Sequence, residues 1–87
     1  MDPIRVVLVE DHQIVREGLR ALLEGQDDIE VVAEADNGRA GVDLVREHRP
    51  DVAVMDLNMP ELDGVEATKI IRKEMPATQV LILSMYS

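Results

Sequence analysis

Residues 4–25 read IRVVLVEDHQIVREGLRALLEG, and the hydrophobic period of this stretch changes halfway along it. Its first part, Ile4 to Glu10, is a β-branched apolar run with few polar interruptions, which indicates a strand covered on both faces. Its second part, from about His12 to Glu24, has helical spacing, and Gly25 is placed to end that helix. The apolar residues that carry this spacing are Val15, Leu19, Leu22 and Leu23.

The same alternation of strand and helix continues along the rest of the chain. Three further strands are predicted at Ile29 to Ala35, Val52 to Asp56 and Gln79 to Ser84. Between them lie two predicted helices, one ending near His48 after Asn37 as N-cap, and one from about Asp63 to Glu74. The order β-α-β-α-β-α-β predicts one α/β domain with a parallel sheet, helices on both faces, and the flavodoxin-like, doubly wound strand order 2-1-3-4.

Length and composition bound the class of protein. A chain of 87 residues forms one small domain at most, and 46% hydrophobic with 31% charged residues is ordinary for a globular protein. The absence of cysteine excludes disulfides and thiolate metal sites. We see neither a signal peptide nor an apolar run of the ~18 residues that a membrane helix needs, so we expect a cytoplasmic protein without membrane contact. The net charge of −9 argues against direct contact of this segment with nucleic acid.

Acidic residues collect at the carboxyl ends of the predicted strands. Glu10 and Asp11 follow the first strand, Asp56 ends the third, and Ser84 ends the fourth. Ligands of such sheets bind beyond these ends, and neighbouring first and third strands would bring the three carboxylates together. A small cluster of oxygen ligands favours Mg²⁺, which would leave one carboxylate able to act as a nucleophile toward phosphorus.

Each of these residues also has a simpler interpretation when it is taken alone. Asp11 could cap the first helix, Glu10 could be a solvated strand end, and Asp56 could be a turn former. Ser84 could be an ordinary hydroxyl at the end of a strand. Their joint placement at three carboxyl ends favours the functional interpretation.

Three spaced motifs resemble the receiver domains of two-component response regulators. The acidic pair lies in VEDH, residues 9–12, and the phosphorylation loop in RPDVAVMDLNMPELDG, residues 49–64. The fourth strand with its terminal hydroxyl lies in LILS, residues 81–84. The amino-acid sequence of residues 11–19 and 84–87 is most similar to the NarL/FixJ subfamily. Members of that subfamily usually carry a C-terminal DNA-binding domain of the LuxR type.

The resemblance implies a role for each position. Asp56 would accept a phosphoryl group from a histidine kinase, and Ser84 would be the switch hydroxyl that turns toward it. Mg²⁺ would be held by Asp11 and Asp56 directly, by Glu10 mainly through a water, and by the backbone carbonyl of Asn58. The domain would catalyse only its own phosphorylation and dephosphorylation, so it would not be a turnover enzyme. Pro60 and Gly64 would shape the loop, whereas His12 is expected to be a half-exposed first-turn side chain.

The resemblance also implies that residues 1–87 form an incomplete receiver domain. The usual fourth helix, fifth strand, fifth helix and pocket lysine would lie beyond these residues, as would any DNA-binding output domain. The fourth strand would then have an unpaired apolar edge, and we expect the 87-residue chain to form a homo-oligomer or a swapped dimer.

Two other functions stay open on the sequence. A haloacid-dehalogenase-type phosphatase also uses an aspartyl nucleophile, but usually on the first strand and with a second Asp two residues later, where this chain has Asn58. A receiver-like interaction module without phosphorylation would keep the fold and lose the chemistry.

Overall fold

Four strands and three helices alternate along the chain in the computed structural model, which describes residues 2–57, 59 and 62–83. The elements are β1 (Ile4–Val9), α1 (Gln13–Glu24), β2 (Ile29–Ala35), α2 (Gly38–His48), β3 (Val52–Asp56), α3 (Gly64–Glu74) and β4 (Gln79–Leu83). The predicted order of elements is confirmed, with ends that differ from the predictions by a residue or so. Ser84, predicted as the last residue of the fourth strand, lies outside the described residues.

The strands form one parallel sheet in the order β2-β1-β3-β4. β1 lies between β2 and β3, with Val6 opposite both Val31 and Val52. β4 follows β3 outward, and Asp56 is opposite Leu83 in that pair. The predicted flavodoxin-like order is therefore confirmed, and it makes β1 and β3 neighbours whose carboxyl ends open on the same edge.

Two apolar layers cover the sheet, and alternate residues of β1 point into each. Val7 and Val9 belong to the core beneath α2 and α3, whereas Val6 and Leu8 pack on the opposite side with Leu19 of α1. All four β1 valines and leucines are buried. A strand that must satisfy two apolar layers has no polar face, which explains its uninterrupted hydrophobic run.

Side-chain caps define the start of two helices. Asn37 accepts a hydrogen bond from the Ala40 backbone N–H at 2.8 Å, and Asp63 accepts one from the Glu66 N–H at 2.9 Å. Both N-terminal predictions are confirmed. α1 is different, because its N-cap residue is His12 and makes no side-chain cap bond, so Asp11 is not a helix cap.

The outer edge of the sheet at β4 is apolar. Leu81 is 54% exposed, Ile82 is also exposed, and among the described residues β4 pairs with β3 alone. This agrees with the expected apolar edge. No helix in the described part of the chain is sufficiently long and apolar to span a bilayer.

Candidate functional site

Three carboxylates meet where β1 and β3 end. Asp56 is the last residue of β3 and is 4% exposed, and Glu10, just past β1, is 1% exposed. Asp11 is half-buried beside them. Together with the imidazole of His12, each of these residues offers a ligand atom within 4.8 Å of the others. The sequence prediction that Glu10, Asp11 and Asp56 converge is therefore met by their geometry.

His12 lies against this cluster. Its backbone N–H donates to Glu10 Oε2 at 2.7 Å, and its Nδ1 shares a hydrogen bond with the same oxygen at 3.1 Å. Nδ1 also lies 3.1 Å from Asp11 Oδ1 in an ion-pair contact, although 67% of the His12 side chain is exposed. The sequence predicted a half-exposed side chain in the first helical turn. His12 is instead the N-cap residue of α1 with a largely exposed side chain, and the sequence did not predict its contacts with Glu10 and Asp11.

The charge of the cluster changes the proton affinity of its members. Burial raises the pKa of the Glu10 carboxyl, and the nearby Asp11 and Asp56 carboxylates raise it further, while hydrogen bonds from His12 act in the opposite direction. The hydrogen bond with Glu10 raises the pKa of the His12 imidazole, and the charges of Asp11 and Glu10 add to this effect. Both shifts favour the protonated form of the group.

The backbone around the cluster is held by contacts from distant elements. The Glu10 N–H donates to the Ala35 carbonyl at 3.0 Å, and the Glu10 carbonyl accepts from Arg16 Nη1 at 2.8 Å. Arg16 also pairs with Glu34 of β2 at 3.2 Å. These bonds connect β1, α1 and β2 at the point where Glu10 leaves the sheet, so they hold its backbone in place.

α3 begins directly against the backbone of the β3 end. The Gly64 N–H donates to the Leu57 carbonyl at 3.0 Å. A Cβ at position 64 would collide with the Asp56 backbone oxygen and lie 2.7 Å from Leu57 Cα. Glycine is required here by close approach, in agreement with the structural role predicted for Gly64.

The donor set fits a hard divalent ion such as Mg²⁺. Within the part of the chain that the structure describes, Glu10 Oε1 and Asp11 Oδ1 are buried and accept no hydrogen bond. Within that part of the chain, the Asp11 oxygen has only the ion-pair contact with His12 Nδ1 at 3.1 Å. A buried carboxylate oxygen that accepts no hydrogen bond is costly, and a cation bound by oxygen ligands would remove that cost. The acidic residues that could hold such an ion are Glu10, Asp11 and Asp56.

Two predicted site residues, Asn58 and Ser84, lie outside the described residues, as does Pro60. Among the described residues, sequence reasoning missed Arg16 as a support of Glu10. An arginine in the first turns of a helix after an acidic pair was the available signal. It did not suffice, because the contact depends on how α1 lies over the sheet.

The fold is that of a response regulator receiver domain, and the family model for that domain matches residues 6–87. The chain belongs to this family. Transcriptional regulatory protein LiaR of Bacillus subtilis (strain 168) is 49% identical over 83 residues, which are 95% of this chain and 39% of that protein. The chain therefore spans well under half the length of this relative.

Solved structures agree with the assignment. The signal receiver domain of NarL from Mycobacterium tuberculosis superimposes with a TM-score of 0.95 at 37% identity, over 100% of this chain and 70% of that one. A two-component response regulator of the LuxR family from Aurantimonas sp. SI85-9A1 gives 0.91 at 44% identity, over 99% and 61%. The resemblance to the NarL/FixJ subfamily is confirmed.

Proposed function

We propose that this chain accepts a phosphoryl group on Asp56 from the phosphohistidine of a histidine kinase, in a reaction that requires Mg²⁺. The observation that carries the proposal is the convergence of Glu10, Asp11 and Asp56, with two buried carboxylate oxygens that accept no hydrogen bond from the described residues. Family membership supports the same chemistry.

In the proposed reaction, a carboxylate oxygen of Asp56 attacks phosphorus. The new P–O bond forms as the P–N bond to the kinase imidazole breaks, and that nitrogen keeps the electron pair. The product is an acyl phosphate on Asp56. Alignment and charge neutralisation supply most of the rate enhancement in such transfers. The proposed nucleophile is the last residue of β3 and is buried.

The ion would be held by Asp11 and Asp56 directly, by Glu10 mainly through water, and by the Asn58 backbone carbonyl. When bound, it neutralises the charge of the phosphoryl oxygens. Glu10 and Asp11 keep that ion beside Asp56, and Arg16 keeps Glu10 in place through its backbone carbonyl. Ser84 is proposed as the hydroxyl that turns toward the phosphoryl group and reports its presence.

The parent protein is proposed to act in the cytoplasm as a DNA-binding transcriptional regulator. The support is its relation to LiaR, which is named as a transcriptional regulatory protein. DNA contact would be made by a separate output domain, since residues 1–87 carry a net charge of −9 and would repel a phosphate backbone. Residues 1–87 are proposed as the N-terminal part of the receiver domain, which modifies itself and is not a turnover enzyme.

The test is to incubate the intact protein with Mg²⁺ and a small phosphoryl donor and to measure its mass. We expect the mass of one added phosphoryl group, lost on treatment with hydroxylamine as an acyl phosphate is. Asp56→Ala and Asp56→Asn should abolish the addition, and so should removal of Mg²⁺. Asp43→Ala is the matched control, because Asp43 is an exposed aspartate that pairs with Arg46 on α2.

Each alternative function has its own outcome in this assay. Phosphorylation that persists in both Asp56 variants would refute the assigned acceptor. A folded protein that binds Mg²⁺ but never gains mass would be a receiver-like interaction module. Sustained turnover of a phosphomonoester would favour the phosphatase, although the Asp56 nucleophile lies on β3 and not on the first strand.

A further inference from the structure

One side chain of the acidic cluster has no place in the chemistry proposed above. His12 carries the only nitrogen donor among the four residues whose ligand atoms converge. Its Nδ1 is 3.1 Å from an oxygen of Glu10 and 3.1 Å from an oxygen of Asp11. Mg²⁺ prefers oxygen ligands, so the proposed phosphorylation reaction gives this nitrogen no role.

The spacing of these three atoms is that of neighbouring ligands on one ion. Ligands about 2.1 Å from a metal lie about 3.0–3.4 Å apart when they are adjacent, and about 4.2 Å apart when they are opposite in an octahedron. The two 3.1 Å separations fall within the first range. The ligand atoms of all four residues lie within 4.8 Å of one another.

Two further features indicate that the donors are ready for an ion. Glu10 is almost wholly buried, yet its Oε1 accepts no hydrogen bond from the described part of the chain. The His12 side chain is 67% exposed and makes no helix-cap bond, so α1 does not require its imidazole. A buried carboxylate thus lies beside an exposed nitrogen donor.

The addition of an imidazole changes which ions such a cluster prefers. Nitrogen donors strengthen binding of later first-row ions such as Ni²⁺ and Zn²⁺, whereas they add little for Mg²⁺. We propose that His12 completes a second binding mode of this pocket, in which a nitrogen-preferring ion, Zn²⁺ or Ni²⁺, is held by His12 with Glu10 and Asp11 and competes with Mg²⁺. The inference rests on the proposed function, because the competition is for the ion that phosphorylation requires.

The competing mode would oppose phosphorylation. An ion that is held by the nitrogen of His12 displaces Mg²⁺ from the cluster beside Asp56. The kinase reaction would thus become sensitive to the ratio of the two classes of metal.

The test measures metal affinity directly in the intact protein. Calorimetric titration with Zn²⁺ and with Mg²⁺ gives the ratio of their affinities for the unchanged protein and for His12→Ala and His12→Asn. We expect both variants to lower the ratio of Zn²⁺ affinity to Mg²⁺ affinity by about tenfold or more, because each variant removes a ligand of Zn²⁺. His48→Ala is the matched control, since His48 is the other of the two histidines and lies at the end of α2.

The outcomes separate this inference from the proposed function. An unchanged affinity ratio in both His12 variants, or an equal loss in His48→Ala, overturns the role of His12. If the His12 variants change the affinity ratio as expected but Asp56 is not phosphorylated, the proposed function is refuted and the inferred metal site stands. Zn²⁺ binding that survives Glu10→Gln combined with Asp11→Asn would place the ion elsewhere and also overturn the inference.

Discussion

At the scale of single residues, the acidic cluster concentrates like charges that the proposed Mg²⁺ would neutralise. Glu10 is buried next to two other carboxylates. Burial raises the pKa of its carboxyl against the hydrogen bonds from His12, and a hydrogen bond with Asp11 and the charge of Asp56 raise that pKa further. A protein tolerates such a concentration of charge where a bound ion compensates it. Binding of an ion to the folded state should therefore appear as added stability.

Replacing Asp56 tests this coupling. Asp56→Asn removes one carboxylate of the cluster, so without Mg²⁺ the variant should be at least as stable as the unchanged protein. With Mg²⁺ at about ten times its dissociation constant, the unchanged protein should gain about 1.4 kcal/mol, and Asp56→Asn should gain far less. Urea unfolding with and without Mg²⁺ measures both effects. Asp43→Asn should keep the full gain, and an equal gain in Asp56→Asn would contradict the cluster as the binding site.

Glu34 provides a pH-dependent prediction away from the cluster. The hydrogen bond from Arg20, at 2.7 Å, lowers the pKa of the Glu34 carboxyl, and Arg16 lowers it further against the effect of burial. The ionised Glu34 carboxylate therefore contributes to the stability of the fold. Because its folded pKa lies below the unfolded value of about 4.3, this contribution is fully present above that value and is lost as the pH falls through the folded pKa.

We expect Glu34→Gln to lower the free energy of unfolding by about 1 kcal/mol at pH 7, a figure that allows for the partial exposure of Arg20. The difference from the unchanged protein should shrink as the pH falls below about 4. Unfolding in urea over a pH series measures it. Glu24→Gln is the control, because Glu24 pairs with the same Arg20 on the exposed side of α1 and should cost less. A cost that does not change with pH would argue against the ion pair.

At the scale of elements, two glycines in helices should respond in opposite ways to the same substitution. Gly64→Ala places a Cβ against the backbone of Asp56, which cannot move without displacing the end of β3. Gly18, within α1, has open space where a Cβ would lie. We expect Gly64→Ala to destabilise by about 3 kcal/mol or more, and Gly18→Ala to stabilise by about 0.5–1 kcal/mol. Chemical denaturation gives both values, and a tolerated Gly64→Ala would refute the close approach.

The elements themselves were predictable because their signals are local. The change of period at residues 4–25 and the side-chain caps Asn37 and Asp63 depend only on residues a few positions apart. Contacts between distant segments were not predictable in this way. Thr78 donates to the Pro50 carbonyl, and Arg5 to the His48 carbonyl, and both bonds depend on how the strands are aligned. The convergence of Glu10, Asp11 and Asp56 was predicted from the strand ends, whereas the contacts of His12 required the structure.

At the scale of the whole molecule, the two edges of the sheet differ in their chemistry. At the β2 edge, Glu34 of β2 makes hydrogen bonds with Arg16 and Arg20 of α1, so charged groups lie beside this strand. β4 presents exposed Leu81 and Ile82 beside backbone groups that, within the described chain, have a partner strand on one side only. Apolar, open strands of this kind pair with other strands, whereas charged ones resist it.

We therefore predict that the 87-residue chain by itself self-associates through β4. Leu81→Lys should shift it toward a monomer in sedimentation velocity at micromolar concentration, because a charge on an open strand opposes edge pairing. Leu22→Lys is the matched control: Leu22 is 72% exposed but lies on α1, where no strand edge is available. If both lysine variants reduce association equally, general surface hydrophobicity drives it. A monomeric unchanged chain would show that α1 and α3 protect the sheet well enough without any cover over β4.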